Sequence, residues 1–262
     1  MKIGFIGFGN MATAIAGGLD RDFFKELYAH DPADVKGKAQ SLKVTLLQTN
    51  ADVIEKSDAI IFAVKPQVID RVLEEVKDVD FKNKIAISIA AGVPVKKFSI
   101  LRNAKIVRTM PNTPALVRKG VTVILENPSL TEDDKNVIEK IFSSIGEFHW
   151  IKEEKLMDSV TALSGSGPAY FFTFVEALMM AGIRTGLPAD LALKLAVSTG
   201  EGSMALLRNT PEPAKLRNMV SSPAGTTIAA LEVLERSGFR GIVMEAVRAA
   251  YERSIELGAK DE

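Results

Sequence analysis

The sequence predicts an α/β chain in two parts, and three observations carry that prediction. Eight short runs rich in β-branched and other apolar residues recur at 2–7, 26–29, 43–46, 58–64, 84–89, 105–108, 121–125 and 147–151. Helix-compatible stretches separate the early runs, and strands alternating with helices indicate a mainly parallel, doubly wound sheet. The first run ends in Gly7-Phe8-Gly9-Asn10-Met11-Ala12, a glycine turn that opens an apolar helix, as in a Rossmann dinucleotide-binding fold. After Ile151 the strand signal fades, and Ala, Leu, Met and Glu accumulate near 155–185, 188–208, 226–237 and 239–257. These segments read as an all-helical C-terminal domain. The expected division is a Rossmann domain over 1–152 and a helical substrate-binding and dimerisation domain over 153–262, joined at Lys152-Glu153-Glu154.

Composition narrows the function. With 262 residues, 47% hydrophobic and 25% charged, the chain has the make-up of a folded globular protein, and its length favours two domains. Thirty-three basic and 33 acidic side chains cancel, so no net field draws it to nucleic acid or to an anionic membrane. The absence of cysteine excludes disulfides and thiolate chemistry, and with only His30 and His149 no metal site is expected. The N-terminus reaches Gly4 too soon for a secretory leader, and Glu176 interrupts the most apolar later segment, so a cytoplasmic location is the expectation.

Each element has its own signal. Gly7 permits the tight turn after the first strand, Gly9 lets backbone approach a pyrophosphate, and Ala12 lets helix and strand pack closely; the helix start then offers free N–H groups to the anion. The second strand ends at Asp31, where a carboxylate can accept from an adenosine ribose and repel a 2′-phosphate, or can simply cap the helix after Pro32. The cofactor is therefore read as NADPH or NADH. Pro111 and Pro114 make the stretch from Arg108 to Val121 a loop without a crossover helix, so the last two strands are expected to run antiparallel. Phe171, Phe172, Phe174, Val175, Leu178, Met179 and Met180 cover more than one helical face, which calls for burial nearly all round and makes a second subunit a natural partner.

Two small-residue runs interrupt the helical half. The run of Ser164, Gly165, Ser166, Gly167 and Pro168 reads as a kink, a close helix contact or a wall of the site, with a kink the simplest. Residues 221–227, Ser-Ser-Pro-Ala-Gly-Thr-Thr, feed a helix that carries Ile228, Leu231 and Leu234. This loop is either an uncharged anion site on a helix N-terminus or a plain hydroxyl cap.

The opening from Gly4 to Met11 and the blocks Ala63-Val64-Lys65-Pro66, Ser88-Ile89-Ala90-Ala91-Gly92-Val93, Arg108-Thr109-Met110-Pro111-Asn112-Thr113-Pro114, Leu163 through Tyr170 and Ser221 through Thr227 together resemble the pyrroline-5-carboxylate reductase family. Where that family often has glycine, this chain has Ala224. The resemblance implies NAD(P)H-dependent reduction of 1-pyrroline-5-carboxylate to L-proline by hydride transfer to the imine carbon. It implies cofactor contacts from Gly7, Phe8, Gly9, Asn10, Met11, Ala12 and Asp31, with Ala63, Val64, Pro66 and Ala90 lining the cleft and Lys65 and Asn112 near the ribose. The substrate carboxylate falls to the amides of Thr226 and Thr227 in a loop that includes Ser221 and Gly225, and the Thr227 hydroxyl lies near the ring nitrogen as the catalytic contact. A homodimer or larger homo-oligomer through the helical domain follows, with neither nucleic acid nor membrane as partner.

Two other readings share the architecture. A β-hydroxyacid dehydrogenase places an acid/base lysine early in its helical domain, but no lysine lies between Lys155 and Lys194 here. A non-catalytic dinucleotide sensor would leave residues 221–227 without a purpose. With no cysteine, little histidine and no titratable side chain in that loop, positioning is expected to dominate catalysis.

Overall fold

A computed structural model describes residues 1–259. The strands β1 (Lys2–Ile6), β2 (Glu26–His30), β3 (Thr45–Leu46), β4 (Ala59–Phe62), β5 (Ile85–Ser88), β6 (Lys105–Met110), β7 (Gly120–Leu125) and β8 (Gly146–Ile151) form one sheet in the order β3-β2-β1-β4-β5-β6-β7-β8. All eight runs expected from the sequence are present in it. The pairings from β3 across to β6 are parallel, β7 is antiparallel to β6, and β8 is parallel to β7.

The last two strands thus run against the other six but alongside each other. The link from β6 to β7 is a tight 3-10 turn, Thr113–Val117, with Arg118 in the left-handed region at φ 56, so the chain reverses without a crossover. The link from β7 to β8 carries a full helix, Glu132–Ser143, and a crossover restores parallel pairing.

The helices on this sheet are α1 (Asn10–Gly18), α2 (Lys36–Ser41), α3 (Asn50–Lys56), α4 (Ile69–Val76) and α5 (Glu132–Ser143). The central strands are buried on both faces. From β1, Ile3 and Phe5 enter one cluster with Ile15, Leu27 and Phe142, while Ile6 enters the opposite cluster with Phe62, Leu73 and Phe81. Strands covered by helices on both sides read as continuous apolar runs for this reason.

After β8 the chain forms α6 (Leu156–Val160), a π-helical turn (Thr161–Gly165), α7 (Gly167–Arg184), α8 (Ala189–Asn209), α9 (Pro213–Met219), α10 (Thr226–Arg236) and α11 (Phe239–Ala259). The helical character of this half is as expected, although α9, a short helix opened by Pro213, was not among the expected segments. Two compact units result: residues 1–166 together with the described residues from Ala250 onward, and residues 167–249. Within the first unit Ser254 is buried and its hydroxyl donates to Asp158 of α6 at 2.7 Å. The polar joint at 152–154 is also anchored there: Glu154 Oε1 accepts from the Val95 N–H at 2.7 Å and from the buried Arg108 guanidinium at 2.8 Å.

Candidate cofactor and substrate sites

In the first unit the sheet changes direction at β1. The chain builds β2 and β3 on one side of it, then returns to lay β4, β5 and β6 on the other. In-register pairing aligns Ile6 with Phe62, Phe62 with Ser88, and Ser88 with Arg108, so the turns after β1, β4 and β5 leave the sheet along one edge. A crevice at the carboxyl edge beside such a switch point is where doubly wound sheets bind ligands.

The glycine turn is built for close backbone approach. Gly7 has φ +84, and a Cβ there would lie 2.7 Å from Val64 Cγ1 and 3.0 Å from the Ala63 carbonyl oxygen, so only glycine fits. Its N–H donates to the His30 carbonyl at 2.8 Å. Gly9 caps α1 without a side-chain hydrogen bond, and a Cβ there would meet nothing within 4 Å. The space above Gly9 is open at a helix start whose amides no side chain caps. That arrangement fits a pyrophosphate.

Asp31 closes this turn from the side. Its Oδ2 accepts the Phe8 N–H at 2.7 Å, and its Oδ1 accepts the Ala33 N–H at 2.8 Å. It does not cap α2, whose N-cap is Val35 with no side-chain bond. The exposed Lys38 ammonium donates to Asn10 Oδ1 at 3.3 Å. Ala63 and Val64 are half-buried beside Gly7, Lys65 is exposed, Pro66 begins a 3-10 turn, and Ala90 is buried after β5. Asn112 is only 9% exposed; its Nδ2 donates to the Ser164 carbonyl at 3.1 Å and its Oδ1 accepts the Val121 N–H at 2.9 Å.

Residues 221–227 belong to the second unit. Gly225 is the N-cap of α10, in extended conformation and with no side-chain bond, so the amides of Thr226 and Thr227 begin the helix uncapped. The plain hydroxyl cap is thereby absent. Ser221 turns its hydroxyl away, donating to the Arg217 carbonyl at 2.7 Å. Ala224 sits in the left-handed region at φ +56, one residue before the cap. A groove of about 460 Å³ runs beside the loop, with Asn218, Ser221, Ile228 and Leu231 among its walls.

The comparisons with known proteins decide the family. Residues 154–257 match the family described as pyrroline-5-carboxylate reductase dimerisation. The pyrroline-5-carboxylate reductase of Pisum sativum is 41% identical over 262 residues, covering 97% of this chain and 95% of that protein. The chain belongs to the pyrroline-5-carboxylate reductase family. Residues 2–92 also match the family described as NADP oxidoreductase, coenzyme F420-dependent. The reductase of Synechocystis sp. is 41% identical, with 99% of both chains covered. A crystal structure of the Plasmodium falciparum pyrroline carboxylate reductase with NADP bound superposes at a TM-score of 0.89, with 34% identity and 98% of each chain covered.

Family membership gives the helical half its context. In the single chain, α7 leaves Phe171 59%, Phe172 68% and Met180 51% exposed, and Gly167 is its one buried residue. The described residues leave these apolar positions largely uncovered. Among the described residues no helix is long and apolar enough to cross a membrane, and no group of three or more His, Asp or Glu could hold a metal ion.

Proposed function

We propose that this protein reduces 1-pyrroline-5-carboxylate to L-proline with NADPH or NADH. The near-full-length likeness to pyrroline-5-carboxylate reductases carries the reading. Two uncapped helix starts, at α1 and α10, support it, because the reaction needs one anion site for a dinucleotide and one for a small carboxylate.

In this reading, backbone from Gly7 through Ala12 receives the pyrophosphate, Asp31 faces the adenosine ribose, and Ala63, Val64, Lys65, Pro66, Ala90 and Asn112 border the cleft. When bound, the reduced nicotinamide supplies the hydride. The amides of Thr226 and Thr227 bind the substrate carboxylate, in a loop shaped by Ser221 and Gly225. The Thr227 hydroxyl hydrogen-bonds to the ring nitrogen. A protonated cyclic imine is already electrophilic at carbon, so hydride addition there yields the neutral amine with no further proton needed. The chain's contribution is mainly orientation, which is worth up to roughly 7–11 kcal/mol.

The carboxylate of Asp31 opposes a 2′-phosphate, although two backbone N–H groups already share its charge. Both reduced cofactors are therefore substrates in this reading, with NADPH disadvantaged by that carboxylate. The exposed phenylalanines of α7 are covered by a second copy of the chain.

The test is to follow reduced-nicotinamide absorbance with the cyclic imine and, separately, with the oxidised cofactor and β-hydroxyacids. Consumption of reduced cofactor with the imine alone is the expected result. Activity only with hydroxyacids would replace the reading with alcohol chemistry, and activity with neither would leave a dinucleotide sensor.

A further inference from the structure

Ser254, Leu257 and Gly258 stand at i, i+3 and i+4 near the end of α11, so they share one face of the helix. That face is seated on the loop after β5. A Cβ at Gly92 would lie 3.5 Å from both Leu257 Cβ and the Ser254 carbonyl oxygen, an ordinary packing distance. A Cβ at Gly258 would lie 2.9 Å from the Gly92 carbonyl oxygen, so the two backbones meet too closely for a side chain between them. Gly92 itself has φ +74, a left-handed turn that glycine adopts freely. All of these residues belong to one compact unit, residues 1–166 with the described residues from Ala250 onward.

The same loop is held at both ends by other means. At its start the buried Thr109 hydroxyl donates to the Ser88 carbonyl at 3.0 Å, and Ser88 Oγ accepts the Ala90 N–H at 3.3 Å. At its exit the Val95 N–H donates to Glu154 Oε1 at 2.7 Å, an oxygen that also pairs with the buried Arg108 guanidinium at 2.8 Å. Between these anchors Gly92 leans on α11, and α11 is locked in turn. Ser254 is only 3% exposed, and its hydroxyl donates to Asp158 Oδ1 at 2.7 Å. Helix ends close to a terminus ordinarily fray unless they are tied down. Here a buried hydroxyl-to-carboxylate bond and a contact between two glycines hold the last turns in place.

We propose that Ser254 and Gly258 are positioning residues: through Gly92 they hold the loop at 89–93 in place at the cofactor cleft, and with it the affinity for the nicotinamide half of the dinucleotide. This rests on the cofactor reading above. A dinucleotide bound at the β1 switch point straddles that strand, with one mononucleotide on each side. With Asp31 at the end of β2 facing the adenosine ribose, the nicotinamide half falls to the side of β4 and β5, where Ala90 follows β5. Neither Ser254 nor Gly258 touches the ligand in this reading, and their effect passes through the loop backbone. General support of the fold would act on both halves of the ligand, whereas positioning of this loop acts on one.

Calorimetric titration of the full-length protein with NADH, NADPH and ADP tests this, ADP serving as the adenosine half alone. Gly258→Ala forces the Gly92 carbonyl to move. Both dinucleotide dissociation constants are expected to rise roughly 3- to 12-fold, the scale of one lost local contact, while that of ADP changes less than about twofold. Ser254→Ala adds no atom and frees the helix end from Asp158. It is expected to weaken both dinucleotides about 2- to 5-fold with ADP again unchanged, and to speed hydrogen exchange over residues 89–95. Asp158→Asn keeps an acceptor for Ser254 and should bind all three ligands as the wild type does. If Gly258→Ala does not fold, Ser254→Ala carries the comparison by itself. Equal loss of ADP and dinucleotide affinity, or wild-type dinucleotide constants in the folded variants at 254 and 258, would overturn the proposal. A wild type that binds neither dinucleotide would overturn the cofactor reading and this proposal with it.

Discussion

The backbone N–H of Phe8 donates to Oδ2 of Asp31 at 2.7 Å, joining the glycine turn after β1 to the end of β2. In the proposed function one carboxylate serves two purposes, shaping the turn that would receive a pyrophosphate and placing negative charge where a ribose would lie. The two can be separated by mutation. Asp31→Asn removes the charge and keeps an acceptor, so NADPH binding should improve about fivefold relative to NADH, the equivalent of roughly 1 kcal/mol for a solvent-screened charge pair. Asp31→Ser shortens the side chain and leaves the Phe8 N–H without its acceptor, so both cofactors should bind less tightly than in Asp31→Asn. Dissociation constants from nicotinamide fluorescence for both variants check this, and an unchanged NADPH-to-NADH ratio in Asp31→Asn would remove Asp31 from cofactor discrimination.

At the other helix start, Thr227→Ala deletes one hydroxyl and leaves the uncapped amides of α10 in place. A single hydrogen bond contributes about 0.5–1.5 kcal/mol, so kcat should fall roughly 2- to 12-fold while cofactor dissociation constants stay as in the wild type. Steady-state kinetics with the imine as the varied substrate provide the measurement. A loss confined to KM would assign the hydroxyl to ground-state binding instead.

Ala224 tests the backbone of the same loop. Its φ of +56 is a conformation glycine adopts freely and alanine does not. Ala224→Gly should therefore raise stability, by about 0.5–1 kcal/mol after the greater flexibility of the unfolded chain is counted. Denaturant midpoints at constant m-value will show it, and a fall in the midpoint would mean that the loop carries no strain at this position.

Much of this architecture was legible in the sequence because its signals are local. Gly7, Gly9 and Ala12 mark a strand-to-helix turn by size alone, and buried parallel strands such as β4 and β5 are apolar on both faces, so they stand out as short runs. The pairing of β7 with β8 was harder to read, since it depends on a crossover by α5 that no single residue announces. Asp31 was legible by position but not by partner. That its oxygens meet Phe8 and Ala33 follows from how β2 lies beside β1, which only the fold brings about. The 164–168 run read as a kink, a close helix contact or a wall of the site, with a kink the simplest; the structure places Ser164 and Gly165 in a π-turn, and the Asn112 side chain that donates to the Ser164 carbonyl is brought there only by the fold.

The apolar pattern of α7 was legible as well, and with it the expectation of cover by a second subunit; the single chain leaves Phe171 and Phe172 open to solvent. If a second copy covers them, Phe172→Glu should convert the assembly to monomers, since burying an unpaired carboxylate costs several kcal/mol. Sedimentation of wild type and variant at equal concentration decides the matter. A variant that sediments like the wild type places the contact elsewhere on the helical unit.

Acid should weaken the seam between β6 and α5. Thr131 and Asp134 form a reciprocal cap at the start of α5, with the Asp134 N–H donating to Thr131 Oγ1 at 3.2 Å and the Thr131 N–H donating to Asp134 Oδ2 at 2.8 Å. The Lys105 ammonium at the start of β6 reaches the same carboxylate oxygen at 2.6 Å. Burial alone would raise the carboxyl pKa, but the bonds from Lys105 and Thr131 outweigh it and hold the group below its ordinary value of 3.8. A depressed folded-state pKa means that the ionised form stabilises the fold. That contribution is complete above the unfolded-state pKa and is lost as pH falls through the folded-state value. Asp134→Asn should thus cost about 1 kcal/mol near neutrality, the scale of a lost cap, and the difference between variant and wild type should shrink as the pH drops below 3.8. Urea unfolding of both proteins across the acid range measures it, and a difference that stays constant with pH would show that the carboxylate's charge does not support this joint.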